Sequence, residues 1–205
     1  RKEKIAVANG VLSENIIAAP DIKSIYEVPI NFERDGLSER IMNHFNMKPK
    51  SKDLVTWRKF VEKSKSAKKK LKIAVIGKYF DTGDFVLSDA YVSVIEAIKF
   101  SCYWEGASAD LTWINAKEYE TGKRKVGELK GFAGVIVPGG FGSNGVEGII
   151  SAIKFARENK IPYLGLCYGM QLAVIEFARN VAKLKGAHTT EVNPDSPHPV
   201  IGIMN

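Results

Sequence analysis

A chain of 205 residues with 45% apolar side chains is long enough for one sizeable core and an appendage. Its net charge of +7 raises a nucleic-acid reading, but ten of the lysines lie between Lys48 and Lys72 with no aromatic platform beside them, so a solvated connector is read instead. No apolar run is long enough to span a bilayer, no leader pattern opens the chain, and two Cys with three His are too few and too badly spaced for structural zinc.

The opening segment, Lys4 to Ala8, reads as a short strand closed by the turn signal Asn9-Gly10. Ile16 to Asp21 reads as extended because residues before Pro20 avoid the helical region. Gly36-Leu37-Ser38 introduces a helix to about Phe45, with Leu37, Ile41 and Phe45 at four-residue spacing. Residues 1–47 are too sparsely apolar to make a core of their own and are expected to end a preceding domain. Residues 48–70 form the lysine-rich linker, in which Asp53 caps a docking helix with Trp57, Phe60 and Val61 on one face.

From Leu71 strands alternate with helices over 71–205. Strands are expected at Leu71–Gly77, Asp110–Ile114, Val135–Val137 and Ile161–Leu166. After an irregular loop at Asp81–Asp84, a helix capped by Ser88 carries Tyr91, Val94, Ile95 and Ile98 inward. A second helix runs from Val146 to Asn159, and a third from Tyr168 carries Leu172, Ile175, Ala178 and Val181 on one face. The fold class is α/β, a mostly parallel sheet with helices on both faces. Ligands of such sheets bind beyond the carboxyl ends of the strands, where Pro138–Gly145 and Cys167–Gln171 both fall.

Cys167 sits at a strand-to-helix turn between Gly165 and Gly169. Backbone N–H groups converge at a helix N-terminus and favour a thiolate, and small flanking residues permit a sharp elbow. Cys167 is therefore read as a nucleophile, against the plainer alternative of a small buried apolar residue. Cys102, late in a helix, is read with it as a free thiol of a reducing, cytoplasmic compartment.

Gly140-Phe141-Gly142-Ser143-Asn144-Gly145 matches G-x-G-x-x-G after a strand, yet the next strand ends in Cys167 and not in the acidic residue a dinucleotide site needs. A Walker loop is absent as well: Lys72 stands where its first glycine belongs, and Tyr79 follows Gly77-Lys78 in place of Ser or Thr. An oxyanion hole is the better use of the turn. The Gly140 and Tyr168 N–H groups are its two expected donors, each worth about 3 kcal/mol to a developing oxyanion.

The pattern Gly165-x-Cys167-x-Gly169-x-Gln171, with Pro138-Gly139-Gly140-Phe141-Gly142 upstream, resembles the class I glutamine amidotransferases, whose architecture is flavodoxin-like. Ser24–Pro29, Gly77-Lys78-Tyr79, Asp89-Ala90-Tyr91 and Gly145–Gly148 narrow the resemblance to the CTP synthase family. It implies that 1–47 ends a synthetase (amidoligase) domain and that 71–205 is most of a glutaminase domain, C-terminally incomplete. Cys167 would attack the side-chain amide of glutamine, and the ammonia released would aminate UTP, activated by ATP, to CTP. Gly140, Phe141, Tyr168, Gly169, Met170, Gln171 and Glu191 would line the glutamine pocket, Glu191 holding the substrate ammonium. Lys4 would touch a pyrimidine nucleotide, and Asp21 with Ile22 an adenine nucleotide. No cofactor or metal is implied within this chain; ATP and Mg2+ belong to the synthetase part, GTP is implied as an allosteric activator, and the assembly as a homotetramer.

The chain departs from that family at three points. No His-x-Glu pair follows the cysteine: His188 stands where the family has no catalytic histidine and His198 lies between prolines, so the base is expected after residue 205. The synthetase phosphate loop is expected before Arg1, and Asn144 replaces a usual arginine. As a fragment the chain is expected to hydrolyse glutamine poorly. Two alternatives stay open: the glutaminase part of another amidotransferase synthetase, and a regulatory or assembly domain of this fold with an inert Cys167.

Overall fold

The computed structural model describes residues 1–48, 53–78 and 91–203, and the chain divides into two compact units, Arg1–Ser66 and Ala67–Asn205.

The first unit is helical. Its opening segment is helix α1 (Lys2–Asn9), not the strand that Lys4–Ala8 predicts. Asn9-Gly10 is a helix stop: Gly10 takes φ 61°, and the Val11 N–H returns to the Ala6 carbonyl at 3.1 Å, as in a left-handed C-cap. An extended stretch follows through Pro20, as expected. Pro29 then opens helix α2 (Val28–Arg34), where its missing N–H is no loss, and Gly36 at φ 75° turns the chain into α3 (Leu37–His44). Helix α4 (Val55–Ser66) starts as read from the sequence, with Asp53 Oδ1 accepting from the Val55 N–H at 2.8 Å. It belongs to the first unit: Trp57 Nε1 donates to the Tyr26 carbonyl at 2.8 Å, and Phe60 meets the Tyr26 ring edge-on at 5.1 Å. The expected linker 48–70 is thus divided, with 55–66 in this helix and Lys69 and Lys70 in the first strand of the next unit. Lys50 and Lys52 lie outside the described residues.

The second unit is layered. Its elements in order are β1 (Lys69–Gly77), α5 (Val92–Trp104), β2 (Ala107–Asn115), α6 (Ala116–Glu120), β3 (Gly134–Val137), α7 (Val146–Glu158), β4 (Tyr163–Gly165) and α8 (Tyr168–Asn180). The strands form one parallel sheet in the order β2-β1-β3-β4, with Val75 between Trp113 and Ile136 and Ile136 beside Leu164. Alternation along the strands sorts the side chains onto two faces. Ala74, Ile76, Val135 and Val137 pack under Ile149 of α7 and Leu172 of α8, while Val75 and Ile136 face Ile98 and Cys102 of α5. A two-stranded parallel pair, β5 (His188–Thr189) with β6 (Pro199–Ile201), follows.

Two expectations in this unit need correction. Val181 is not on the buried face of the third helix: α8 ends at Asn180 and Val181 is 41% exposed. Helix α6 and the 3-10 turn Val126–Gly131 are not read from the sequence at all, since each is too short to show a period. The expected loop Asp81–Asp84 and the Ser88 cap lie outside the described residues. Among the described residues no helix is long and apolar enough to cross a membrane.

Candidate active site

The sheet order places its switch point between β1 and β3, the place where doubly wound sheets open a crevice. Three strand ends meet there: Lys78 after β1, the glycine turn 138–142 after β3, and Cys167 after β4.

The elbow is built by backbone contact. The Leu166 N–H bonds the Val137 carbonyl at 2.9 Å, so the β3–β4 ladder runs to the residue before the cysteine. The Gln171 N–H then bonds the Cys167 carbonyl at 3.1 Å, and the helix has begun. Between them Cys167 is forced to φ 50°, ψ −103°, a strained position for a residue with a Cβ and one that recurs at nucleophile turns. The flanking glycines are required by space. A Cβ on Gly165 would lie 2.5 Å from the Gly169 carbonyl carbon, and one on Gly169 would lie 2.2 Å from the Val137 carbonyl oxygen. Tyr163, on β4, braces the same place by donating its hydroxyl to the Gly169 carbonyl at 2.8 Å, and burial pushes that phenol above its ordinary pKa.

Cys167 is exposed at this elbow, and both cysteines are free. Its Cβ lies 3.8 Å from where a Cβ on Gly139 would stand, so the two glycine-rich turns read from the sequence do converge. The arrangement presents a reachable sulfur beside the first turn of a helix, where fixed N–H dipoles favour an anion.

Of the residues expected around it, Tyr168 and Gly169 are buried at the start of α8, Gln171 and Gly140 are half-buried, and Phe141 and Met170 are 69% and 55% exposed. Glu191 also reaches the turn, its Oε1 accepting from the Gly142 N–H at 2.7 Å. Lys4, Asp21 and Ile22 lie in the first unit on exposed positions, Lys4 on helix α1 and the other two in irregular chain.

Two side chains here were not singled out by sequence reasoning. One is Tyr163. The other is Lys78, 9% exposed, whose ammonium donates to the Phe141 carbonyl at 3.1 Å, to the Gly142 carbonyl, and to the Tyr168 hydroxyl at 3.2 Å. The Tyr168 hydroxyl in turn donates to the Gly142 carbonyl at 2.6 Å, and the ammonium stands 4.3 Å from the Tyr168 ring centroid. Burial lowers the Lys78 pKa to about 8, against the pull of Glu191 and Glu120 that raises it. A lysine ending a strand buried on both faces was the signal available for it.

The histidines after the cysteine are used structurally. His188 accepts the Thr189 N–H on Nδ1 at 2.9 Å and brings Nε2 within 3.7 Å of Glu147. Its pKa is held below the ordinary value by burial and then by Arg179, with Glu147 opposing. Arg179 joins the group, with Nη1 on Glu147 at 2.8 Å and Nε on the Ala187 carbonyl at 2.6 Å. His198 is exposed, its N–H bonded to Ser196 Oγ at 3.3 Å. Among the described residues no three His, Cys, Asp or Glu side chains gather as a metal site.

Comparison with known proteins agrees with this geometry. The family pattern described as "Glutamine amidotransferase class-I" matches residues 86–198. A CTP synthase from Caldanaerobacter subterraneus subsp. tengcongensis is 48% identical over 204 residues, covering 99% of this chain and 37% of the relative. One from Sulfurisphaera tokodaii is 45% identical over 204 residues, covering 100% and 38% respectively. The chain therefore spans somewhat over a third of the length of these relatives. A solved structure described as the CTPS glutaminase domain of Trypanosoma brucei with bound acivicin superposes with a TM-score of 0.60 at 36% identity, over 66% of this chain and 50% of that one. With the sulfur, the elbow and the sheet order already in place, this chain belongs to the class I glutamine amidotransferase family.

Proposed function

We propose that this chain is the glutamine-hydrolysing part of a CTP synthase together with the end of its synthetase domain, 1–47. The observation that carries the reading is Cys167, exposed at φ 50° on the elbow and set against the Gly139 turn. Its sulfur attacks the side-chain amide carbonyl of glutamine. Negative charge moves to the carbonyl oxygen, where the N–H groups of Gly140 and Tyr168 receive it. Collapse of that adduct breaks the C–N bond, ammonia leaves with a proton, and a glutamyl thioester remains until water releases glutamate. Phe141, Gly169, Met170 and Gln171 line the glutamine site, and Glu191 pairs with the substrate ammonium. Neither His188 nor His198 is the base, since the first already spends both nitrogens on Thr189 and Glu147.

The ammonia aminates UTP to CTP in an ATP-dependent ligase of the cytoplasm, with GTP as activator and a homotetramer as the assembly; the identity of the relatives over nearly the whole of this chain supports that reading. Lys4, Asp21 and Ile22 are proposed as nucleotide contacts. Mg2+ finds no set of ligands among the described residues, so no step is derived through it here.

The test is covalent labelling with acivicin on the protein as its gene encodes it. Cys167 is expected to take up one equivalent, excess glutamine is expected to slow the reaction at least tenfold, and Cys167→Ser is expected to take up none. Labelling of Cys167 that glutamine does not slow, or none at all in folded protein, would return it to an inert thiol in a regulatory domain.

A further inference from the structure

Lys78 is the one buried cation of the site, and the cysteine chemistry does not call on it. Its three N–H groups meet three oxygens: the carbonyls of Phe141 and Gly142 and the hydroxyl of Tyr168. An ammonium has three donors and no acceptor, and the Tyr168 hydroxyl already gives its own proton to Gly142. The set is therefore matched only by the charged form of the lysine.

The consequence lies in the peptide planes. In a trans peptide the C=O and the following N–H point in opposite directions. The Phe141 carbonyl is held by Lys78, while the N–H on the other side of that plane, that of Gly142, is held by Glu191 at 2.7 Å. The next plane is held through the Gly142 carbonyl by Lys78 and Tyr168. Two consecutive planes are thus pinned immediately after Gly140, in a turn whose glycines would otherwise roam, Gly142 itself standing at φ 74°. Tyr168 is also the first residue of the helix after Cys167, so the same ammonium ties the turn to the elbow.

Resting on the glutaminase reading, we propose that Lys78 is a positioning residue that aims the Gly140 N–H at the oxyanion by fixing the Phe141 and Gly142 carbonyls against Tyr168. It touches neither substrate nor reacting atoms. Bonds to a charged donor are about twice as strong as neutral ones, and donors fixed in advance need no reorganisation when charge develops.

The experiment compares Lys78→Met with wild type in the protein as its gene encodes it, measuring glutamine hydrolysis, acivicin labelling and iodoacetamide labelling of Cys167. The variant is expected to lose about tenfold in kcat with KM within about twofold, because the aim of a donor matters in the transition state and little in the ground state. Its acivicin rate is expected to fall in parallel while its iodoacetamide rate stays at the wild-type value, which a general loosening of the fold would not produce. A kcat within twofold of wild type, or a loss confined to KM, overturns the proposal. Should Lys78→Met not accumulate as folded protein, Tyr168→Phe removes one of the three oxygens and keeps the backbone donor; about a threefold loss in kcat supports the pinning, and an unchanged kcat overturns it. Wild-type protein that neither hydrolyses glutamine nor shows glutamine-protected labelling brings down the glutaminase reading, and this proposal with it, whereas an active wild type with an unaffected variant brings down the positioning role alone.

Discussion

The elbow at Cys167 and the helical first unit hold their shapes by different means. At the elbow, main chain touches main chain: β3, β4 and α8 approach so closely at Gly165 and Gly169 that no side chain fits. In the first unit, the buried apolar side chains among the described residues are Ala6, Phe60 and Val61, and α4 is held on Tyr26 by two ring contacts and one indole hydrogen bond. A region defined by backbone contact tolerates no change of residue at its crossing points, whereas a region held by a few side chains yields by degrees. Substitution should separate the two.

The largest effect is expected from Gly169→Ala. The added methyl would stand 2.2 Å from the Val137 carbonyl oxygen and 2.8 Å from Val137 Cβ, and neither backbone can retreat without breaking the β3–β4 ladder. A loss of more than about 3 kcal/mol is expected, read as a fall in urea midpoint or as failure to accumulate folded protein. An alanine variant with wild-type stability would mean that α8 can slide on β3, and the rigid account of the elbow would fall.

The comparison sharpens away from the elbow but inside the same unit. Glu176 on α8 is 1% exposed and takes a two-pronged guanidinium from Arg157 of α7, at 2.8 and 2.9 Å. Arg157→Met leaves that carboxylate buried without its partner. A loss of about 2 kcal/mol is expected, below the roughly 3–5 kcal/mol for pairs buried at both ends, because Arg157 keeps about a third of its surface in water. Denaturation with urea measures it, and a double variant with Glu176→Met should recover much of it.

The same contrast governs what can be read from residues alone. Backbone crossings leave glycines at fixed spacing, so the four strands, the elbow and its cysteine are legible before any coordinates. The first unit leaves no such mark. Lys4–Ala8 alternates like a strand, yet Gly10 closes a helix, because Asn-Gly serves a helix stop as readily as a hairpin. Glu191 was placed at the site only through resemblance; its approach to Gly142 spans 49 residues of chain, beyond what spacing can carry. Lys78 was weighed only as a failed phosphate-loop lysine, since nothing local shows that its partners lie 63, 64 and 90 residues further on. Long-range polar contacts have no period, and that is why the site's cysteine is legible and its scaffolding is not.

The smallest effect belongs to the first unit and probes whether its yielding is local. Asp53 caps α4 through the Val55 N–H, one of the orphan donors at a helix start. Asp53→Ala returns that donor to solvent and removes a negative charge from the positive end of the helix, together about 1 kcal/mol. For a helix held by few contacts the loss appears as fraying from its first turn, so amide exchange over 55–60 should quicken about fivefold, the factor that 1 kcal/mol corresponds to. Exchange in β3 and in α8 should not move, because those amides lie in ladders that open only when the elbow itself comes apart. If they do quicken together with α4, the two regions unfold as one body, and the division between a rigid elbow and a yielding helical unit gives way to a single cooperative structure.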